Sequence, residues 1–448
     1  MLECESAGVA ASRHGFAGWI VAGFIRMVLS GVSLRGAARM LELMAEMLGW
    51  QGKLPHWTTG RLWLLRWGLW QLQQAKELAQ DWAWLIDHSV QIGQTKCLVI
   101  VGFRLKDLPA PGQSLRHRDL KLIALEPMDS SNQQQMQRQL ESAAVMTGVP
   151  RVIVDDHGAD LHGGVKLFQQ EHGATLEIYD SKHKAACLLK GRLEKDETFK
   201  RFGSLVAAAR CALQQTELAF LVPPGPKPKA RFMNLGPMLN WAGKALAVLR
   251  NPPAWLEECG RQRLREKLGA LQEFELPLRQ WGQWQRVVDL AVDRVGRWGH
   301  YAGSAVELHG ELAGMLASEL PQPGTRELAQ ELVSFVQEQS GQAAAGERLP
   351  GSTEVLESLF GRYKELEKQQ CKGGFTSLLS GFGALVSGAA SQPVREMIDP
   401  IRQALEGSRT RGVWDWCAQK LGTTLCSLRR QTFAAALSAQ HKRYEGTG

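Results

Sequence analysis

Three carboxylates stand where divalent cations would be held. Asp87 interrupts an otherwise apolar stretch, Leu85-Ile86-Asp87-His88-Ser89. A charge in a central strand is costly unless a counter-charge meets it. Asp155-Asp156 closes a second, short apolar stretch. Ligand sites in parallel sheets collect beyond such strand ends. Glu357 lies beside the apolar side of a later helical stretch, and Lys364 follows two helical turns on, pointing the same way. Carboxylates brought close together need a cation between them, and oxygen-only ligation selects Mg²⁺ or Mn²⁺. Asp155 is an alternate to Asp156, and Glu354 to Glu357. We prefer Asp156, because the Asp-x-Gly-x-Asp-Leu run starts there, and Glu357, because its spacing to Lys364 returns to one helix face.

The elements that must position these acids follow from periodicity. Residues 82–92, 96–103 and 120–125 read as three strands, with Gly93-Gln94 turning the first into the second. A helix at 131–147, a strand at 151–154, a helix at 160–172 and a strand at 175–179 follow. Three strands, helix, strand, helix, strand predicts a meander continued by helical crossovers, with the first and fourth strands as neighbours. Upstream, helices are expected at 16–29, 34–48 and 61–74, capped by Ser33 and by Thr58 or Thr59, with Gly49 ending the second. Short helices with glycine turns have the layout of a helix-turn-helix, and Arg61 and Arg66 lie on its third helix. Trp63, Trp67 and Trp70 on the same helix have core spacing. Residues 183–347 are helical, including a long amphipathic run from Trp284 to Trp298, with Pro223 to Lys229 as a proline-stiffened linker.

Composition bounds the function classes. The 448 residues suffice for several domains, and the net charge is +8. That charge sits at the ends: +3 over residues 1–80 and +5 over 401–448. Such termini suit a polyanion, while basic tails also occur as solvated ends. The C-terminal pairs Arg429-Arg430 and Lys442-Arg443 would add sequence-independent affinity for DNA. No apolar run reaches the length of a membrane span, and the 8 Cys form no C-x-x-C pair. Reduced thiols and an N-terminus without a secretory signal fit a cytoplasmic location.

The chain resembles the DDE transposases of bacterial insertion sequences. The resemblance rests on Trp84-Leu85-Ile86-Asp87-His88-Ser89, Val154-Asp155-Asp156-His157-Gly158-Ala159-Asp160-Leu161, Ile178-Tyr179-Asp180-Ser181-Lys182-His183-Lys184, and Glu354 through Lys364 with its Glu-x6-Lys spacing. It covers roughly residues 15–190 and 350–390. It implies an α/β fold: a ribonuclease H-like mixed sheet interrupted by a large all-helical insertion, with an N-terminal helix-turn-helix region. The expected layout is a DNA-binding domain at 1–80, the catalytic domain at 81–190 and 351–448, and the insertion at 191–350. Asp87, Asp156 and Glu357 would bind two Mg²⁺ ions, which Mn²⁺ can replace, for in-line phosphoryl displacement. Arg362 and Lys364 would hold phosphates. DNA contact is the hypothesis for Lys182, His183 and Lys184, and a solvated helix start explains them as well. Asp180 is a helix cap or supports the site, and His157 supports the acids by hydrogen bonding. The isolated histidines do not have zinc-site spacing.

The expected partners are double-stranded DNA, as element ends and target, and a second copy of the chain, in a bacterial, nucleoid-associated setting. The rival functions are a domesticated DNA-binding protein without catalysis and a ribonuclease H-like nuclease. Trp281 and Trp284, beside Gln280, Gln283 and Arg286, are the best candidates in the insertion for stacking on bases, against a general bias toward packing.

Overall fold

The structure is a computed structural model, described over residues 15–92, 95–225, 232–233, 235–369, 377–407 and 410–422. The Gly93-Gln94 turn, the linker beyond Gly225 and the basic C-terminal pairs lie outside the described residues. The chain begins with α1 (Gly18–Leu29), α2 (Leu34–Leu48) and α3 (Trp57–Gln73), then β1 (Trp82–Ile92), β2 (Thr95–Arg104), β3 (Lys121–Met128), α4 (Gln133–Thr147), β4 (Val152–Asp155), α5 (Ala159–Glu171) and β5 (Leu176–Tyr179). Seven helices follow: α6 (Ser181–Leu193), α7 (Glu197–Leu213), α8 (Leu235–Arg250), α9 (Glu258–Leu268), α10 (Glu275–Trp298), α11 (Ser304–Ala317) and α12 (Thr325–Ser340). The last are α13 (Glu354–Lys368), α14 (Phe382–Val386), α15 (Val394–Gly407) and α16 (Thr410–Leu421). They form two compact units, one of residues 1–110, 114–178 and 353–448, the other of 111–113 and 179–352.

The first unit is built on one sheet of order β3-β2-β1-β4-β5. β1 pairs antiparallel with β2, β2 antiparallel with β3, and β1 parallel with β4. Successive residues of a strand face opposite ways. On one face Trp84, Ile86, Leu98, Ile100 and Ile153 pack against Met136 and Leu140 of α4 and Leu161, Val165 and Phe168 of α5. The other face carries Leu85, Val99, Val101 and Val154, all buried, and α13 lies against β1. Buried Tyr363 of α13 lies near Cys97, which shares the Val99 face of β2 and so places α13 on that side.

The N-terminal helices do not stand apart from the sheet. Ser33 caps α2, its hydroxyl accepting from Gly36 N at 2.9 Å, and Gly49 ends it in the left-handed conformation at φ 63°. The α3 cap is His56 rather than Thr58 or Thr59, so this helix starts four residues earlier than its spacing predicts. α3 is enclosed by α1, α2, α14, α15 and α16, and Trp63 and Trp67 are buried. Its backbone meets that of the Ser380–Gly383 segment directly: a Cβ at Gly68 would lie 2.0 Å from the Ser380 carbonyl oxygen, so glycine is required there.

The second unit is all-helical among its described residues and is organised around α10, whose Trp281, Trp284, Val287, Val288, Ala291 and Val295 are buried. Trp281 packs edge-on to Phe199, with centroids 5.2 Å apart, and tilted against Phe202 at 5.3 Å. Such aromatic pairs add about 0.5–1.5 kcal/mol beyond the area they bury. The Trp284 indole donates to the Pro323 carbonyl at 3.1 Å, and the Gln283 carbonyl oxygen accepts from Gln322 N and Thr325 Oγ1. Trp281 and Trp284 are therefore core, and neither face is offered to a base. Among the described residues no helix is long and apolar enough to cross a membrane.

Candidate active site

The last three rungs of the parallel ladder pair Ala83 with Val152, Trp84 with Ile153 and Leu85 with Val154. Asp87 and Asp156 each lie two residues beyond the final rung. Strands in a sheet run about 4.8 Å apart, so these acids leave neighbouring strands at the same level. Asp87 pairs across β2 with Val99, which puts it on the face that α13 covers. Both aspartates are half-buried. Asp87 Oδ1 accepts from His88 N at 2.6 Å, and Asp156 Oδ1 accepts from Gly158 N at 2.8 Å. Burial pushes the ring of His88, next to Asp87 in β1, down, and the charges of Asp160 and, less, Asp156 act against it.

Asp155 is placed differently. It alternates with Val154 and so shares the Ile153 face, opposite Asp87, and it is wholly buried. Burial and the neighbouring Glu177 carboxylate push its carboxyl up to about 8. Glu177 reaches this place from β5 and is itself buried.

Glu357 occupies the first turn of α13, where its N–H and that of Leu356 both donate to the Thr353 carbonyl at 3.1 and 2.8 Å. It is half-buried, and its Oε1 is out of contact with solvent. Glu354, the alternate, starts the helix in an exposed position. Arg362 and Lys364 are exposed on the same helix, Arg362 near enough to His117 to depress its protonation after burial has done so first. The His117 ring also meets Ser358 Oγ at 3.2 Å, which ties the segment before β3 to α13.

Other expected site residues have structural occupations. Arg66 is 4% exposed and donates to the Leu405 carbonyl of α15. Arg61 is half-buried beside Cys417 of α16. The expectation that α3 presents Arg66 to DNA is corrected, because Arg66 is enclosed by other helices and spent on a buried carbonyl; Arg61 is only half-buried, and the expectation for it is unchanged. Within the second unit, Asp180 caps α6, accepting from Lys182 N and His183 N at 3.4 and 3.3 Å and from the His183 ring at 2.5 Å. The Lys184 ammonium lies over the rings of Tyr179 and Phe335, at 6.0 and 5.8 Å.

Two polar residues near β4 had no part in the expected site. His162 of α5 and Glu177 of β5 meet at 2.7 Å, and His157 lies tilted against His162 with centroids 4.4 Å apart. Their signal in the sequence is His-x4-His spanning a strand end and a helix start, and Glu177 lies in a short strand with no motif around it.

No protein-family model matches the sequence, and no curated protein matches it. Among solved structures the chain is similar to the "Drosophila P element transposase strand transfer complex". The identity is 10%, 87% of this chain and 97% of that chain are covered, and the TM-score is 0.35. At that score a functional assignment rests on the residues themselves.

Proposed function

We propose that this chain is a DDE-type DNA transposase, which binds the ends of a mobile DNA segment and cuts and joins them by metal-dependent in-line phosphoryl displacement. The observation that carries the reading is the emergence of Asp87 and Asp156 two residues past one rung of the β1–β4 ladder, with Glu357 on the helix covering the Asp87 face. The strand order and the mixed pairing support a ribonuclease H-like arrangement of the sheet.

The donor chemistry suits hard divalent cations: three half-buried carboxylates, oxygen only. Asp87, Asp156 and Glu357 would hold Mg²⁺ or Mn²⁺. Such ions, when bound, activate a water or a DNA 3′-hydroxyl and stabilise the leaving oxygen. The chain supplies orientation. The Gly158 N–H fixes the Asp156 carboxylate, the His88 N–H fixes that of Asp87, and the first turn of α13 fixes the backbone of Glu357. Positioning of this kind lowers the barrier without further chemistry by the protein. Asp156 takes the role rather than Asp155, because burial favours the neutral form of Asp155 and strand alternation turns it to the other face. Exposed Arg362 and Lys364 would bind phosphates. Joining two ends requires holding both, so two copies are expected on DNA.

The test is incubation with labelled duplexes carrying the borders of the encoding DNA segment, with Mg²⁺ and with EDTA. Mg²⁺-dependent nicking followed by joining is expected. Binding without cleavage would mark a DNA-binding protein, and release without joining a plain nuclease.

A further inference from the structure

Opposite the Asp87 face, the sheet holds a second group of metal-ligating side chains. Ligand atoms of His157, His162 and Glu177 all lie within 4.8 Å of one another. Glu177 Oε1 is 2.7 Å from His162 Nδ1 and 3.7 Å from His157 Nε2. A tetrahedral zinc ion with legs of about 2.0–2.2 Å separates its donors by about 3.3–3.6 Å, between those two values. The two histidines are partly open to water, with side chains 29% and 39% exposed, while Glu177 is 3% exposed. Two partly exposed imidazoles and a buried carboxylate leave a position on the solvent side for water or another ligand.

A second observation comes from Asp155. It is wholly buried, its Oδ1 is 3.8 Å from His157 Nε2, and no N–H or O–H of the described residues reaches its Oδ2. A buried carboxylate set against a second one needs a proton or a cation to relieve the repulsion. Lys166 meets only the outer oxygen, Glu177 Oε2, at 3.0 Å, and its side chain is 54% exposed. The chain also bends to create the group: His157 adopts φ 55°, uncommon for a residue with a Cβ, so that Asp156 and His157 diverge toward different partners.

We propose that His157, His162 and Glu177 form a zinc site, with Asp155 as the buried carboxylate beside it, separate from the carboxylates of the proposed catalytic centre. Mixed imidazole and carboxylate donors select Zn²⁺ over Mg²⁺. The ion would tie the loop after β4 to α5 and β5. Because His157 follows Asp156 directly, the same ion would hold the catalytic aspartate in register.

The test is zinc content and affinity of the full chain, by metal analysis after dialysis and by competition with a chelating dye, with Co²⁺ as a spectroscopic substitute. One zinc per chain is expected, with cobalt ligand-field bands of a low-coordinate nitrogen and oxygen site. His162→Ala and His157→Asn, the latter tolerant of the left-handed backbone, should each weaken binding roughly 10–100-fold or more. Circular dichroism of the metal-free variants keeps a folding failure distinguishable, and either folded variant suffices. Asp87→Asn should bind zinc as the parent does, whatever its effect on DNA cleavage. No stoichiometric zinc in the parent, or unchanged affinity in a folded His162→Ala or His157→Asn, would overturn the site.

Discussion

Asp87 and Asp156 leave adjacent parallel strands at one level, each two residues past the Leu85–Val154 rung. Their neighbour Asp155 points the other way, into a buried contact with Glu177. A single residue of register thus separates an acid that can meet a cation beside Asp87 from one that cannot. Asp156→Asn should therefore abolish Mg²⁺-dependent DNA cleavage without lowering the melting temperature. Asp155→Asn should keep most of the cleavage activity. Equal loss in both, measured in single-turnover cleavage, would remove the distinction.

Arg66 should matter to stability and not to DNA. Arg66→Met keeps the buried stem but removes the donor to the Leu405 carbonyl, at a cost of about 1–3 kcal/mol. Thermal unfolding would register this, while affinity for duplex DNA at fixed salt should be unchanged in the folded variant.

Exposed cations on α13 should behave the opposite way. Lys364→Ala and Arg362→Ala should weaken DNA binding and lower the slope of log affinity against log salt by about 1 each. Melting temperature should hardly move. An unchanged slope in both would place the DNA path elsewhere.

His300 should give the protein an acid-side stability loss. Its ring is wholly buried in the second unit, neither nitrogen has a hydrogen-bond partner among the described residues, and burial pushes it down to about 4. The unfolded chain takes up this proton near pH 6.5, before the folded one does. Stability from this group is therefore full above about pH 6.5 and is lost as pH falls toward 4, by up to about 3 kcal/mol. Urea unfolding at pH 5 and pH 7.5 measures it, and His300→Leu should flatten that part of the dependence.

Much of the arrangement was legible in the sequence because it is local. The β1 run 82–92, the Ser33 cap and the Gly49 stop of α2 depend on side chains within a few residues. Asp87 stood out as a charge in an apolar strand. What escaped depends on distant contacts. Arg66 looks solvent-facing until α15 is laid over it, and α3 admits that close layering because residue 68 lacks a side chain. Trp281 and Trp284, flanked by polar neighbours, are core because Phe199, Phe202 and Pro323 come to them from other helices. Glu177 and His162 meet only because β5 returns beside β4.

In the proposed function, Asp87, Asp156 and Glu357 act together on DNA with a divalent cation. The most direct measurement is the rate of 3′-end joining in Mg²⁺ for the parent, Asp87→Asn and Glu357→Gln, with duplex binding measured alongside. A fall on the order of 10²–10³ or more is expected in each variant, with binding retained. Full joining activity in either variant would contradict it.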